Sequence, residues 1–391
     1  MSTARCGAMR PVAAAGLLIR RSVAHRRAAL PSTTPSALAR RATHRRQQRG
    51  TGVVYAYSLK IALNGRQHFE SCESVVNSFS DDEMEGKRVL ITGATGGIGK
   101  RTAQALVELG ATVLVTARSV AKAEECAAEI GGEAVPFDLD LGSQASIRSF
   151  LSDAVDGGAV GPLDVVIANA GIGMVPGRQK TVDGHDICWG TNHLGHFALV
   201  QGLLPLVRGA PEGEGRIVVV ASETHREVPS GFDLPQLEAR AVCQVSEATQ
   251  LELEPLCDKR HMVVAYEYSK LCNLRWAGEL QRRLRKQGIA VHACCPGFVQ
   301  TGLRRSMAQS AEEEQLFEML YNKETNPMLK DVSEGAATTV FLAAAPSREL
   351  GRELYWTNCH PLDPSDEAMD REQGKALWEL SDSLITAYAK S

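Results

Sequence analysis

The sequence predicts an α/β fold, a doubly wound parallel sheet in a single domain, and three observations predict it. From about residue 86 onward, short β-branched runs alternate with helical stretches. Most of those runs are continuously apolar, without the period-two alternation of a strand that is wet on one face. The turn between the first run and the first helix is rich in glycine, "TGATGGIGK" at 92–100.

The strand candidates come in order: "RVLIT" (88–92), "TVLVT" (112–116), "EAVPF" (133–137), "LDVVIA" (163–168), "GRIVVVA" (215–221) and "IAVHACC" (289–295). Sheets of such runs must be covered on both faces. The cover comes from helical segments such as "KRTAQALVELG", ending on Gly110, and "GTNHLGHFALVQGLLPLV" (190–207). Right-handed crossovers follow from parallel pairing. No internal repeat is present, and low complexity is confined to the N-terminal tail.

The chain has 391 residues, 44% hydrophobic and 23% charged, with a formal charge of −3. That small total hides an asymmetry. No acid precedes Glu70, while 13 of the 43 Lys and Arg lie in positions 1–69, so the remainder is strongly acidic. An Arg-, Ala- and Ser-rich segment broken by Pro31 and Pro35 reads as an organelle transit peptide over 1–52, with "VVYA" (53–56) as a processing region. A basic arm contacting nucleic acid or anionic lipid is the competing reading; no nucleic-acid partner is expected of the domain itself. Residues 53–85 form an extension whose apolar spacing over 53–80 suits a docking helix or peripheral membrane contact. Apolar runs such as "FLAAAP" fall far short of the roughly 20 residues that span a bilayer. Ten cysteines lack metal or disulfide spacing and read as buried thiols, although Cys243 and Cys257 offer one conceivable bridge.

Glycines 93, 97 and 99 follow an apolar strand and open a helix, the setting in which backbone amides and the helix dipole receive a pyrophosphate. At the end of the second strand, where a ribose-binding carboxylate would select NAD, the sequence has Arg118. A guanidinium there suits the 2′-phosphate of NADP, so NADP(H) is expected over NAD(H). An exposed strand-end arginine is the plainer alternative.

With "ANAG" (168–171), "VVVAS" ending at Ser222, and "AYEYSKLCN" placing Tyr266 four residues before Lys270, the chain from about 86 to 360 resembles the short-chain dehydrogenase/reductase family. The stretches "TVDGHDICWGTNHLGHFALV" and "GRELYWTNCHP" resemble its retinol dehydrogenase-like branch. The resemblance implies a Rossmann-like catalytic domain over 86–391 that moves a hydride between nicotinamide and a carbonyl or alcohol, and a bulky, apolar small-molecule substrate. It also allows a homodimer built on long helices beside the active site. Two other readings remain beside it: a protochlorophyllide reductase-like plastid enzyme, and a non-catalytic NADP-binding regulator.

The residues support the chemistry in their own right. A phenol of pKa about 10 must be acidified to exchange a proton near neutrality, and Lys270 lies one helical turn from Tyr266 on the same face. Tyr268 falls on another face. Ser222 would donate to the substrate oxygen as negative charge grows. The resemblance assigns Asn192 to a proton relay through water, and Lys270 additionally to the nicotinamide ribose. It further implies cofactor contacts from Thr92, Gly93, Thr95, Gly97, Ile98 and Gly99 in the turn. Asp138 would meet the adenine ring, with Asn169, Ala170 and Gly171 at the fourth strand, and Pro296, Gly297 and Thr301 holding the carboxamide. Thr301 also suits a helix N-cap. His193 and His196 have no third metal ligand nearby in sequence and are expected in packing. Residues 228–262 read as an acidic insertion, and an organellar location, chloroplast before mitochondrion, is expected.

Overall fold

The computed structural model describes residues 70–207, 215–228, 230–233, 247–301 and 321–390, with only the backbone path of 247–260. The transit segment 1–52, residues 53–69 of the extension, 234–246 of the insertion and 302–320 after Thr301 lie outside the described residues.

Eight strands form one sheet: β1 (Arg88–Thr92), β2 (Thr112–Ala117), β3 (Ala134–Asp138), β4 (Val165–Ala168), β5 (Arg216–Val220), β6 (Ala290–Cys295), β9 (Tyr355–Thr357) and β10 (His360–Pro361). Their order is β10-β9-β6-β5-β4-β1-β2-β3, and every pairing is parallel except β10 on β9. A separate parallel pair joins β7 (Phe298–Val299) to β8 (Leu329–Lys330). The six strands expected from sequence are all present, with ends shifted by a residue or two.

Their lack of alternation is explained by the two cores. On one face Leu90, Leu114, Val166, Ile217 and Val219 pack in one cluster; on the other Ile91, Val113, Val115, Ile167 and Val218 pack in a second. Successive side chains point to opposite faces, so a strand buried on both sides needs apolar residues at every position.

Helix α1 (Cys72–Val76) is capped by the Ser71 hydroxyl, which accepts from the Ser74 amide at 3.1 Å. It docks on the domain: Cys72 and Val75 are buried, and the Cys72 amide donates to Ser333 Oγ at 2.9 Å. Helices α2 (Gly97–Glu108), α3 (Val120–Ile130), α4 (Gln144–Leu151) and α5 (His196–Val207) link the first five strands. The helix expected over 190–207 does not run uniformly. Gly190–Gly195 is a π-helical turn, and regular α geometry begins at His196. Helix α6 (Glu247–Leu284) is 38 residues long and carries Tyr266 and Lys270. Residues 247–262, nearly half of the expected insertion, are thus a backbone extension of this helix.

Helix α7 (Val332–Ala344) begins with a capping box between Asp331 and Glu334. Its C-terminus is held by buried Arg216, whose Nη1 donates to the carbonyls of Leu342, Ala343 and Ala345. Helix α8 (Arg371–Lys390) packs on α6, with Trp378 against the Arg283 guanidinium at 4.2 Å. Among the described residues the seven cysteines are free thiols, six of them buried, and no helix is long and apolar enough to cross a membrane. Cys243 and Cys257 lie where no side chain is described.

Candidate active site

The strand order reverses direction between β1 and β4, and at such a switch point the crossovers leave a crevice at the carboxyl ends of the strands. A cleft of about 1000 Å³ lies there. Gly93, Thr95, Gly97, Ile98 and Gly99 line it. Gly93 has φ of +71°, and a Cβ on it would stand 2.7 Å from Ala170 Cα. On Gly99 a Cβ would meet the Gly93 carbonyl oxygen at 2.3 Å and Asn169 Nδ2 at 2.5 Å. Only hydrogen fits at either position. The N-cap of α2 is Gly96, which supplies no side-chain partner, so the positive end of that helix is left uncapped at the cleft.

Thr92 and Asn169 act behind this turn. Thr92 is fully buried outside the cleft lining, and its hydroxyl oxygen accepts the amides of Asn169 and Ala170, each at 3.0 Å. The side chain is consumed in joining the ends of β1 and β4. Asn169 does line the cleft, while its Nδ2 donates to the Thr92 carbonyl at 2.8 Å. Ala170 and Gly171 continue the same wall.

Arg118 lines the other end of the cleft, exposed, directly after β2. Beside it stand Ser119 and Lys122, which the motifs alone do not single out. Ser119 caps α3 through its hydroxyl, and the Ser-x-x-Lys spacing at a helix start was the available signal. Asp138 ends β3 with an exposed side chain, and Asp140, two residues on, lines the cleft. "FDLDL" contains two acids two residues apart, and the chain turns after Asp138 so that Asp140 faces inward, its Oδ1 accepting the Gly142 amide at 2.8 Å.

Tyr266, Lys270 and Ser222 all border the cleft. Lys270 is 3% exposed; its Nζ donates to the Val220 carbonyl at 2.9 Å and lies 5.7 Å from the Tyr266 ring centroid. Burial pushes its pKa down to about 8. Ser222 Oγ accepts from the Thr224 amide at 3.3 Å and from the Thr224 hydroxyl at 3.1 Å, which leaves its own proton for a group in the cleft. Tyr268 is buried against Phe232, and burial pushes its hydroxyl far above the usual phenol range.

Asn192 stands behind the cleft wall. It is fully buried in the π-helical turn; Oδ1 accepts from the Ile172 amide at 2.7 Å, and Nδ2 donates to the Ile172 carbonyl at 2.9 Å and Ser269 Oγ at 3.0 Å. Its side chain therefore fixes the wall. Pro296, Gly297 and Thr301 line the cleft beyond β6. A Cβ on Gly97 would stand 3.3 Å from Thr301 Cγ2, so this segment closes over the glycine turn. His193 sits among Trp189, Phe197 and Trp276, and His196 lies completely buried behind the site.

Comparison with known proteins agrees with this geometry. The short chain dehydrogenase family profile matches residues 87–232. The human WW domain-containing oxidoreductase is 33% identical over 327 residues, covering 82% of this chain and 73% of that protein. Human retinol dehydrogenase 14 is 34% identical over 320 residues, covering 77% and 87% respectively. A crystal structure of an uncharacterized protein from Mycobacterium paratuberculosis superposes with a TM-score of 0.58 at 29% identity, over 82% of this chain and 98% of that one. A doubly wound sheet, a glycine turn at its switch point and relatives matched over most of their length place the chain in the short chain dehydrogenase family of oxidoreductases.

Proposed function

We propose that the protein is an NADP(H)-dependent oxidoreductase acting between a carbonyl and an alcohol on a bulky, largely apolar substrate, with Tyr266 as proton donor and acceptor. The observation that carries this reading is the buried Lys270 ammonium one helical turn from cleft-lining Tyr266, with Ser222 on the same cleft.

The residues fit a dinucleotide. Two glycines that admit no Cβ and the uncapped end of α2 make room and a positive potential for a pyrophosphate. Arg118, with Ser119 and Lys122 beside it, supports a 2′-phosphate and so NADP(H) over NAD(H). When bound, the cofactor supplies or receives the hydride. Tyr266 gives its proton to the substrate oxygen in reduction and recovers it in oxidation. Lys270, charged at neutral pH, stabilises the phenolate, and the Ser222 hydroxyl donates to the oxygen on which charge grows. Ile172 and Ile187 give the cleft apolar wall, and one relative is named for retinol, a bulky apolar alcohol.

The test is binding and turnover with NADPH and NADH separately on a panel of aldehydes, ketones and quinones. Tyr266→Phe is expected to lower turnover by about 10²–10⁴ while NADPH affinity is retained. Failure to bind either nucleotide would sink the proposal. Residues 1–52 are read as a transit segment, for chloroplast rather than mitochondrion; import assays with the segment removed test that assignment.

A further inference from the structure

The Thr92 hydroxyl, whose oxygen accepts two amides, has one proton to give. Two acceptors stand near it: His196 Nε2 at 2.8 Å and the Ile167 carbonyl at 3.4 Å. On the other side of the ring, His196 Nδ1 lies 2.9 Å from the carbonyl oxygen of Asn192. A carbonyl can only accept, so Nδ1 carries the ring proton and Nε2 presents a lone pair, to which Thr92 donates. The imidazole is completely buried, and burial pushes its pKa down to about 4, which keeps it in this neutral form.

Hydrogen bonds continue from both ends. Thr92 holds the amides of Asn169 and Ala170 and leads directly into Gly93. Asn192 grips the Ile172 backbone and Ser269, and the Ser269 hydroxyl donates to the Tyr266 carbonyl at 2.7 Å. The strand that leads into the glycine turn and the helix that carries the proton donor thus meet at one ring.

We infer that His196 is a positioning residue: as the Nδ1–H tautomer it locks the nucleotide-binding turn to the framework that orients Tyr266, so that cofactor binding and proton-donor placement are coupled. The turnover arm of the test rests on the oxidoreductase reading above; the binding arm does not.

Asparagine places an amide nitrogen near the position of Nδ1, and glutamine places an amide oxygen near that of Nε2. His196→Gln, which spares the bond from Thr92, should keep NADPH affinity within about twofold and lose on the order of tenfold in kcat. His196→Asn, which spares the bond to Asn192, should do the reverse. In the double variant Thr92→Val/His196→Asn, the loss of NADPH affinity should not exceed that of Thr92→Val alone, because both changes break one bond. If both single variants lower the melting temperature yet leave Kd and kcat as in the parent, His196 is packing and the inference is overturned. If the variants fail to fold, the imidazole ¹⁵N spectrum of the intact protein decides: a proton on Nδ1 upholds the arrangement and a proton on Nε2 refutes it. Should no carbonyl on the panel turn over, the NADPH titrations and the double-variant cycle still separate coupling from packing.

Discussion

Replacing Lys270 with Met should make the protein more stable and nearly inactive. The ammonium is enclosed, and its pKa falls from an ordinary 10.5 to about 8 because burial disfavours the charged form. At roughly 1.4 kcal/mol per pKa unit, holding that charge in the folded state costs about 3 kcal/mol at neutral pH. Methionine removes this cost and forfeits the hydrogen bond to Val220, worth about 1–2 kcal/mol, so a net gain on the order of 1 kcal/mol is expected at pH 7. The sign can be checked with pH. The unfolded chain binds more protons at this lysine between about pH 8 and 10.5, so the parent gains stability as pH rises through that window. The variant's advantage should therefore shrink and then reverse. Activity moves the other way: a unit charge 5.7 Å from the phenol ring, at an effective dielectric of about 20, is worth about 3 kcal/mol to the phenolate. Turnover near neutrality should fall by about a hundredfold. Denaturant unfolding of both proteins at several pH values, beside steady-state rates, measures both effects. A variant less stable than its parent at pH 7, with a difference that does not change with pH, would refute the reasoning.

Other changes probe separate parts of the site. Arg118→Ala should weaken NADPH by about ten- to a hundredfold and leave NADH nearly unchanged, as read by nucleotide titration. Gly99→Ala should abolish binding of both nucleotides, since the added methyl falls 2.3 Å from the Gly93 carbonyl oxygen; a variant that binds NADPH as the parent does would show that the turn can yield. Asp331→Ala, which removes the capping box of α7, should cost about 1 kcal/mol in denaturant unfolding without altering nucleotide affinity.

The sheet was legible because its physics is local to each strand: residues buried on both faces leave an unbroken apolar run, and the six runs found in the sequence are six of the eight strands of the main sheet. Strand β9 escaped because "YWT" is three residues long and its parallel partner β6 lies about 60 residues away. The glycine turn, Arg118, Ser222, Tyr266 and Lys270 could be placed at the cleft because each is fixed by a short motif on one element. What depended on side-chain direction could not. Thr92 and Gly93 are neighbours in one motif, yet one is buried behind the site and the other lines it. Asp138 and Asp140 are both acids at a strand end, and only the turn of the backbone distinguishes them. Asn192 was placed near the site, but the π-helical turn that buries its side chain has no signature in "GTNHLG".

That turn bears on which sequence changes this gene can tolerate. A π-helical turn is an α-helix with one residue inserted, so a one-codon deletion within 190–195 would leave a helix that still forms. Everything before the deletion would be rotated by about 100° relative to the helix beyond it. Asn192 would leave Ile172 and Ser269, and the Asn192 carbonyl would move from His196. In-frame deletions are ordinarily harmless in surface loops and harmful in strands. Here a stretch that is helical on both sides of the deletion should be as intolerant as any strand, with every single substitution in it milder than the loss of one residue.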